Sequence, residues 1–243
     1  MTNRGDIFET GEIFRDRKLV RVGHVPDLER VVGRDDEIDA IGSALAPAVL
    51  GGPPETTIVY GKTGTGKSLV TRCVCREATK RAEENDVMFA HAYIDCSDYG
   101  TETQASRQIA RDLHDTVKDS VGEQSIPRKG IGAADYRDIV WEMIDDANVD
   151  AFLVILDEID KLDGDELLRS ISRAQESGKA DAFIGAICIS NKIEYRERLS
   201  ERVDSSLQDN ELVFDPYDAR QLEAILTRRR DAFAEDVLQD GVI

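Results

Sequence analysis

A strand-like apolar run, Thr56-Thr57-Ile58-Val59-Tyr60, passes without a break into Gly61-Lys62-Thr63-Gly64-Thr65-Gly66-Lys67-Ser68. The second segment fits the phosphate loop Gly-x-x-x-x-Gly-Lys-[Ser/Thr] and dictates a strand–loop–helix unit around it. Gly61, Gly64 and Gly66 let the backbone take left-handed turns and bring successive N–H groups up to phosphate oxygens with no Cβ in the way. The helix expected to start near Gly66 points its partial positive end at the same anion. Lys67 then reaches the β- and γ-phosphates as a point charge, and the Ser68 hydroxyl is free to ligate magnesium. Thr65 and Leu69 complete the stretch expected to line the nucleotide.

A second apolar run, Phe152-Leu153-Val154-Ile155-Leu156, ends in Asp157-Glu158. Adjacent carboxylates at a strand end divide the work: Asp157 holds magnesium opposite Ser68, directly or through water, and Glu158 orients or deprotonates the water that attacks the γ-phosphate. An Asp-Glu pair in isolation reads as a strand-end turn. Joined to the phosphate loop, it completes a nucleoside-triphosphate site.

The chain has 243 residues, 41% of them hydrophobic, enough for one α/β domain of ordinary size and part of another. After an irregular arm, helix is expected over 35–45, strand over 56–60, helix from the phosphate loop to about 85 and strand over 87–94. Helices near 103–117 and 133–147, strand 151–156, helix 165–176, strands 182–190 and 211–214, and a last helix from 218 to about 233 follow. Such alternation predicts a doubly wound parallel sheet with helices on both faces and ligands at the carboxyl ends of its strands. Nothing approaches the roughly eighteen uninterrupted apolar residues of a membrane span, and the start of the chain lacks a signal peptide's apolar core. A cytoplasmic protein without a membrane partner is expected. Cys73, Cys75, Cys96 and Cys188 have neither paired Cys-x-x-Cys nor zinc-like spacing, which suits buried thiols in a reducing compartment.

Forty-nine acidic residues against 31 basic give a net charge of −18. A nucleic-acid binder ordinarily shows the opposite excess, because phosphate contacts dominate its affinity. Acidic side chains spread along the whole chain also fit adaptation to high salt, where the Debye length falls to about 3 Å and a global field repels DNA only weakly. Local basic clusters would then decide, at Arg15 to Arg21, Arg128-Lys129 and Arg228-Arg229-Arg230, each equally readable as a solvated face.

The phosphate loop, Leu156-Asp157-Glu158-Ile159-Asp160-Lys161-Leu162, Ile189-Ser190-Asn191, Arg202-Val203-Asp204-Ser205-Ser206-Leu207, Phe214-Asp215-Pro216-Tyr217 and Gln221-Leu222 occur in that order. With Val25-Pro26 and Val32-Gly33-Arg34-Asp35-Asp36-Glu37-Ile38 upstream, the whole resembles the archaeal origin-recognition (cell-division-control type) replication initiators of the AAA+ ATPase superfamily, from a halophile. The resemblance implies an AAA+ core over 1–217 built on a five-stranded parallel sheet. It also implies an initiator-type helical insertion at about 97–150 that touches DNA, and the beginning of a helical lid over 218–243. The winged-helix domain of the family lies outside this chain, which the resemblance makes either a fragment of a longer initiator or a truncated paralogue.

By the same resemblance, Asn191 is the polar sensor beside the γ-phosphate, and otherwise a turn-forming residue. Arg202 matches the arginine finger given to a neighbouring subunit, and otherwise pairs with Glu201 or Asp204. Tyr217 and Arg229 match positions lining the nucleotide, and otherwise fill core and face solvent. Arg107, Arg111, Lys118, Arg128 and Lys129 are the insertion's available cations, in a mixture with acidic residues that an ordinary solvated helix also shows. The implied activity is slow ATP hydrolysis by an initiator that binds ATP or ADP with magnesium. Its implied partners are origin DNA, the replicative helicase and further copies of itself. The alternative is a general AAA+ remodelling or clamp-loading ATPase acting on a protein.

Overall fold

The run 152–156 lies in a strand, Ala151–Asp157, every residue of which is buried. That is the pattern of a parallel strand with neighbours on both sides and helices over both faces. The structure, a computed structural model, describes residues 13–21, 23–122, 125–174, 178–198 and 210–234. The chain divides into two compact units, Asp36–Pro216 and a second that joins the segment before Asp36 to the segment after Pro216.

In the larger unit β1 (Thr57–Gly61), β2 (Phe89–Asp95), β3 (Ala151–Asp157), β4 (Phe183–Ser190) and β5 (Glu211–Phe214) form one sheet in the order β2-β3-β4-β1-β5. All pairings are parallel, as expected. From β1 the chain crosses to the far edge at β2 and returns through β3 and β4. β1 therefore ends up between β4 and β5, where a doubly wound sheet opens its ligand crevice.

The helices are α1 (Asp35–Val49), α2 (Lys67–Glu84), α3 (Glu102–Val121), α4 (Ala133–Asp146) and α5 (Glu166–Arg173), and in the smaller unit α6 (Ala219–Arg229). α3, α4 and α5 pack their apolar stripes, among them Ile109, Leu113, Val140, Ile144 and Leu168, on one sheet face carrying Ile58, Ile94, Val154 and Cys188. The alternate residues Val59, Leu153, Ile155 and Ile187 are as deeply buried on the other side, where α2 covers β1 and β2. α3 starts on a capping box: Gln104 N–H donates to Thr101 Oγ1 and Gln104 Oε1 accepts from Thr101 N–H, both at 3.3 Å. All four cysteines are buried free thiols. Among the described residues no helix is long and apolar enough to cross a membrane.

Three of the boundaries that differ from expectation have a visible cause. α1 runs on to Val49 through Pro47, because Leu45 and Ala48 continue its buried stripe. β2 starts at Phe89, since Asp86 turns left-handed and Val87 N–H is spent on closing α2 against Ala82 O. In the smaller unit α6 stops at Arg229, where a 3-10 turn, Arg230–Ala232, takes over. Phe233 leaves the helical path to bridge Phe14, their rings 5.2 Å apart.

Candidate nucleotide site

β1, β4 and β3 end side by side. The register sets Tyr60 opposite Ser190 and Leu156 opposite Cys188, so the loop after Gly61, Asn191 and the pair Asp157-Glu158 meet at one edge of the sheet. Gly61 has φ of 153°, and a Cβ there would come within 2.5 Å of Phe214 O and 3.1 Å of Thr65 Oγ1. Only glycine fits so close to the β5 backbone. Gly64 and Gly66 have φ of 84° and 90°, and α2 begins directly after Gly66 with Lys67 and Ser68 in its first turn. Thr65 Oγ1 donates to Lys62 O at 2.9 Å and holds the loop curled.

Lys67 is only 4% exposed, yet its three ammonium protons go to neutral oxygens: Gly61 O at 2.8 Å, Lys62 O at 2.9 Å and Asn191 Oδ1 at 2.9 Å. Burial lowers its pKa, and the fields of Asp157, Glu158 and Asp160 oppose that shift. A buried cation resting on neutral acceptors lacks an anionic partner, and an anion at this loop would supply one. Asn191 bridges onward, its Nδ2 donating to Glu158 Oε1 at 3.1 Å. Lys67, Asn191 and the candidate base Glu158 thus form one chain of hydrogen bonds.

Glu158 adopts the left-handed region, φ 51° and ψ 42°, which strains a non-glycine residue by about 1 kcal/mol or more and clusters at functional sites. Asp157, 6% exposed, accepts from Glu158 N–H at 2.9 Å through Oδ1 and from the Tyr93 hydroxyl through Oδ2. Burial first, and that bond second, push the Tyr93 phenol far above its ordinary range, so it stays a proton donor. The Arg72 guanidinium lies 4.9 Å from the Tyr93 ring centre and fixes it from the other side.

The oxygens available for a metal are the Ser68 hydroxyl and the Asp157 carboxylate, a hard-donor pair suited to magnesium shared with a phosphate. Among the described residues no three His, Cys, Asp or Glu side chains gather into a self-sufficient metal cage. A cavity of about 260 Å³ lined by Ala40, Ser43, Ala44, Glu55 and Asn210 lies where β1 and β5 begin, away from these motifs and without their chemistry.

Of the residues expected from sequence, Gly61, Gly64, Thr65, Gly66, Lys67, Ser68, Leu69, Asp157, Glu158 and Asn191 belong to this one sheet edge or to the first turn of α2. Tyr217 and Arg229 belong to the smaller unit, where the Arg34 guanidinium stacks 4.0 Å from the Tyr217 ring centre and Arg229 closes α6 on an exposed face. Arg202 lies outside the described residues. Within the stretch 97–150, Arg107 Nη1 donates to Arg128 O at 2.9 Å, an internal bond between two segments of it, while Arg111, Lys118, Arg128 and Lys129 are exposed.

Motif reading missed Tyr93 and Asp160. Tyr93 could have been found as the one hydroxyl-bearing side chain among the last residues of β2, the strand beside β3. Asp160 is a third carboxylate just past the Asp-Glu pair. Its Oδ2 is 3.0 Å from Lys192 Nζ and its Oδ1 accepts from Ser190 Oγ at 3.2 Å.

Residues 30–184 match the family described as the AAA ATPase domain. The chain is 45% identical over 238 residues to ORC1-type DNA replication protein 4 of Halobacterium salinarum, covering 98% of this chain and 57% of that protein. It is 44% identical over 226 residues to ORC1-type DNA replication protein 2 of the same organism, covering 93% of this chain and 84% of that one. Among solved structures, the Aeropyrum pernix ORC1 protein in complex with DNA aligns with a TM-score of 0.77 at 31% identity, over 95% of this chain and 57% of that one. The chain therefore spans little more than half the length of several proteins it matches.

Proposed function

The chain belongs to the ORC1-type DNA replication proteins and carries their AAA ATPase domain, and on that premise we propose that it is the ATP-binding, slowly hydrolysing module of an initiator that recognises origins and helps load the replicative helicase. The observation that carries the nucleotide reading is the buried Lys67 ammonium on neutral oxygens, joined by Asn191 to Glu158. An arriving phosphate competes for Lys67 with weaker, uncharged acceptors. As Lys67 turns to the β- and γ-phosphates, Asn191 loses one partner and its amide becomes available to the γ-phosphate and the attacking water. Glu158, released from Asn191, accepts the water proton while the oxygen attacks phosphorus and the bond to the ADP oxygen breaks.

Magnesium, held by Ser68 and Asp157 when bound, would neutralise charge on the phosphate oxygens. Asp157 has both its oxygens oriented, by Glu158 N–H and by Tyr93, which suits a carboxylate that must stay in place. In the full site Tyr217 and Arg229 would line the nucleotide, and Arg202 would complete a neighbour's site in an assembled form. Slow turnover follows if Arg202 acts only when a neighbour is present. Origin DNA would be the nucleic-acid partner, with residues 97–150 supplying contacts.

Calorimetric titration in high salt tests the nucleotide reading. Saturable, magnesium-dependent binding of ATP and ADP is expected. Absence of binding at about 1 mM nucleotide, the upper end of ordinary enzyme affinities, overturns it.

A further inference from the structure

Asn191 is the first residue after β4, so sheet hydrogen bonding no longer fixes it. Its amide nevertheless has to sit between Lys67 and Glu158. What holds the turn is Asp160, on the 3-10 turn Ile159–Lys161, whose side chain is 1% exposed. A carboxylate so enclosed is tolerated only when its lone pairs are filled. Ser190 Oγ reaches Oδ1 at 3.2 Å and Lys192 Nζ reaches Oδ2 at 3.0 Å. The Ser190 hydroxyl proton is equally near Lys192 O, at 3.1 Å, but the charged acceptor is the stronger one. Ser190 Oγ itself accepts from Lys192 N–H at 3.1 Å and closes the turn on itself.

Burial alone would raise the Asp160 pKa. The bond and charge of Lys192, with Ser190 and the Asn191 N–H, outweigh burial and hold the carboxyl below its usual range. Asp160 is ion-paired with the Lys192 ammonium, a partner that a metal cation would have to displace, whereas the donors on Asp157 are a backbone N–H and a phenol. Its two partners, Ser190 and Lys192, flank Asn191, the residue whose amide joins Lys67 to Glu158.

We propose that Asp160 is a positioning residue for ATP hydrolysis: it clamps the turn Ser190–Asn191–Lys192 so that the Asn191 amide stays in register with Lys67 and Glu158, and it acts on turnover through Asn191 alone. This rests on the ATPase reading above. A displacement of about 1 Å at such a group costs on the order of a hundredfold in rate, whereas nucleotide affinity depends mainly on the phosphate loop and is spared.

A double-mutant cycle in high salt tests the clamp, with steady-state turnover and calorimetric nucleotide affinity read for Asp160→Ala, Asn191→Ala and the double variant. Asp160→Ala is expected to lower kcat by about 10- to 100-fold with affinity within about threefold. In the Asn191→Ala background the same change should cost less than about threefold, because the residue it positions is gone. Asp160→Asn, which keeps an acceptor for Ser190 but gives up the ion pair with Lys192, should fall between Asp160→Ala and the wild type. Lys192→Met supplies a second cycle should Asp160→Ala fold poorly, with a rate loss that vanishes when Asn191 is alanine. Losses that multiply in either cycle overturn the clamp, as does affinity that falls in step with rate.

Hydrogen exchange of the Lys192 backbone N–H, which donates to Ser190 Oγ at 3.1 Å, followed by NMR without nucleotide, gives a readout independent of catalysis. Exchange in Asp160→Ala and Lys192→Met is expected to be faster than in the wild type, and unchanged protection in both overturns the clamp. Absent wild-type turnover refutes the ATPase reading instead, so the two failures are distinct.

Discussion

Replacing Lys67 by alanine removes the one buried cation of the phosphate loop, and its effect can be worked from the bonds that cation now makes. In the structure Nζ has three neutral acceptors, Gly61 O, Lys62 O and Asn191 Oδ1. Nucleotide binding replaces about two of them with charged phosphate oxygens. Each charge-assisted bond contributes roughly 1.5–3 kcal/mol, and each neutral bond given up costs about 1 kcal/mol. The net worth of Lys67 to binding is then roughly 1–4 kcal/mol, a loss of about 5- to 900-fold in affinity for Lys67→Ala. Salt should change this little, because the group is buried and screened less than a surface charge. Calorimetry with magnesium and ADP, in a buffer where circular dichroism confirms folding, measures it. Affinity within about threefold of the wild type would refute the reasoning, since the phosphates would then be held by something other than Lys67.

Tyr93→Phe removes the donor to Asp157 Oδ2 while keeping the ring against Arg72. A tenfold or greater weakening of manganese binding in the presence of ADP, read by electron paramagnetic resonance, is expected from the usual cost of losing an outer-shell partner of about 10- to 100-fold. Unchanged metal affinity would mean that Glu158 N–H alone orients Asp157. Duplex DNA should bind this chain weakly at any ionic strength. A net charge of −18 opposes association at low salt, and high salt removes the counterion-release drive of phosphate contacts. Tight binding of an origin duplex over a scrambled one, by fluorescence anisotropy in molar potassium chloride, would show that the residues present here carry recognition.

What could be read from sequence was what local chemistry dictates. Lys67, Asp157, Glu158 and Asn191 each follow or end a strand in a short motif, and parallel strands must bring their carboxyl ends to one edge. Tyr93 and Asp160 act through partners 64 and 30 residues away, and no spacing rule announces such bonds. The premature end of α6 was equally invisible, because helix propensity favours continuing past Arg229, whereas the bonds of Ala232 O to Asp16 N–H and of Ala234 N–H to Ile13 O, with the bridge from Phe233 to Phe14, turn the chain away. The internal bond of Arg107 to Arg128 O shows the same limit, since a cation within a mixed-charge stretch gives no sign of being committed inside that stretch.

The central claim is that Glu158 is the base of an ATP site closed by Asn191 and Lys67, and Glu158→Gln tests it most directly. The amide keeps the shape of the side chain and an oxygen for Asn191 Nδ2 at the position that now accepts at 3.1 Å, but cannot take a proton from water. Phosphate release from saturating magnesium-ATP, measured in parallel with nucleotide affinity, should fall by about a hundredfold or more while affinity stays within about threefold. A variant that releases phosphate at the measurable rate of the wild type would contradict the account.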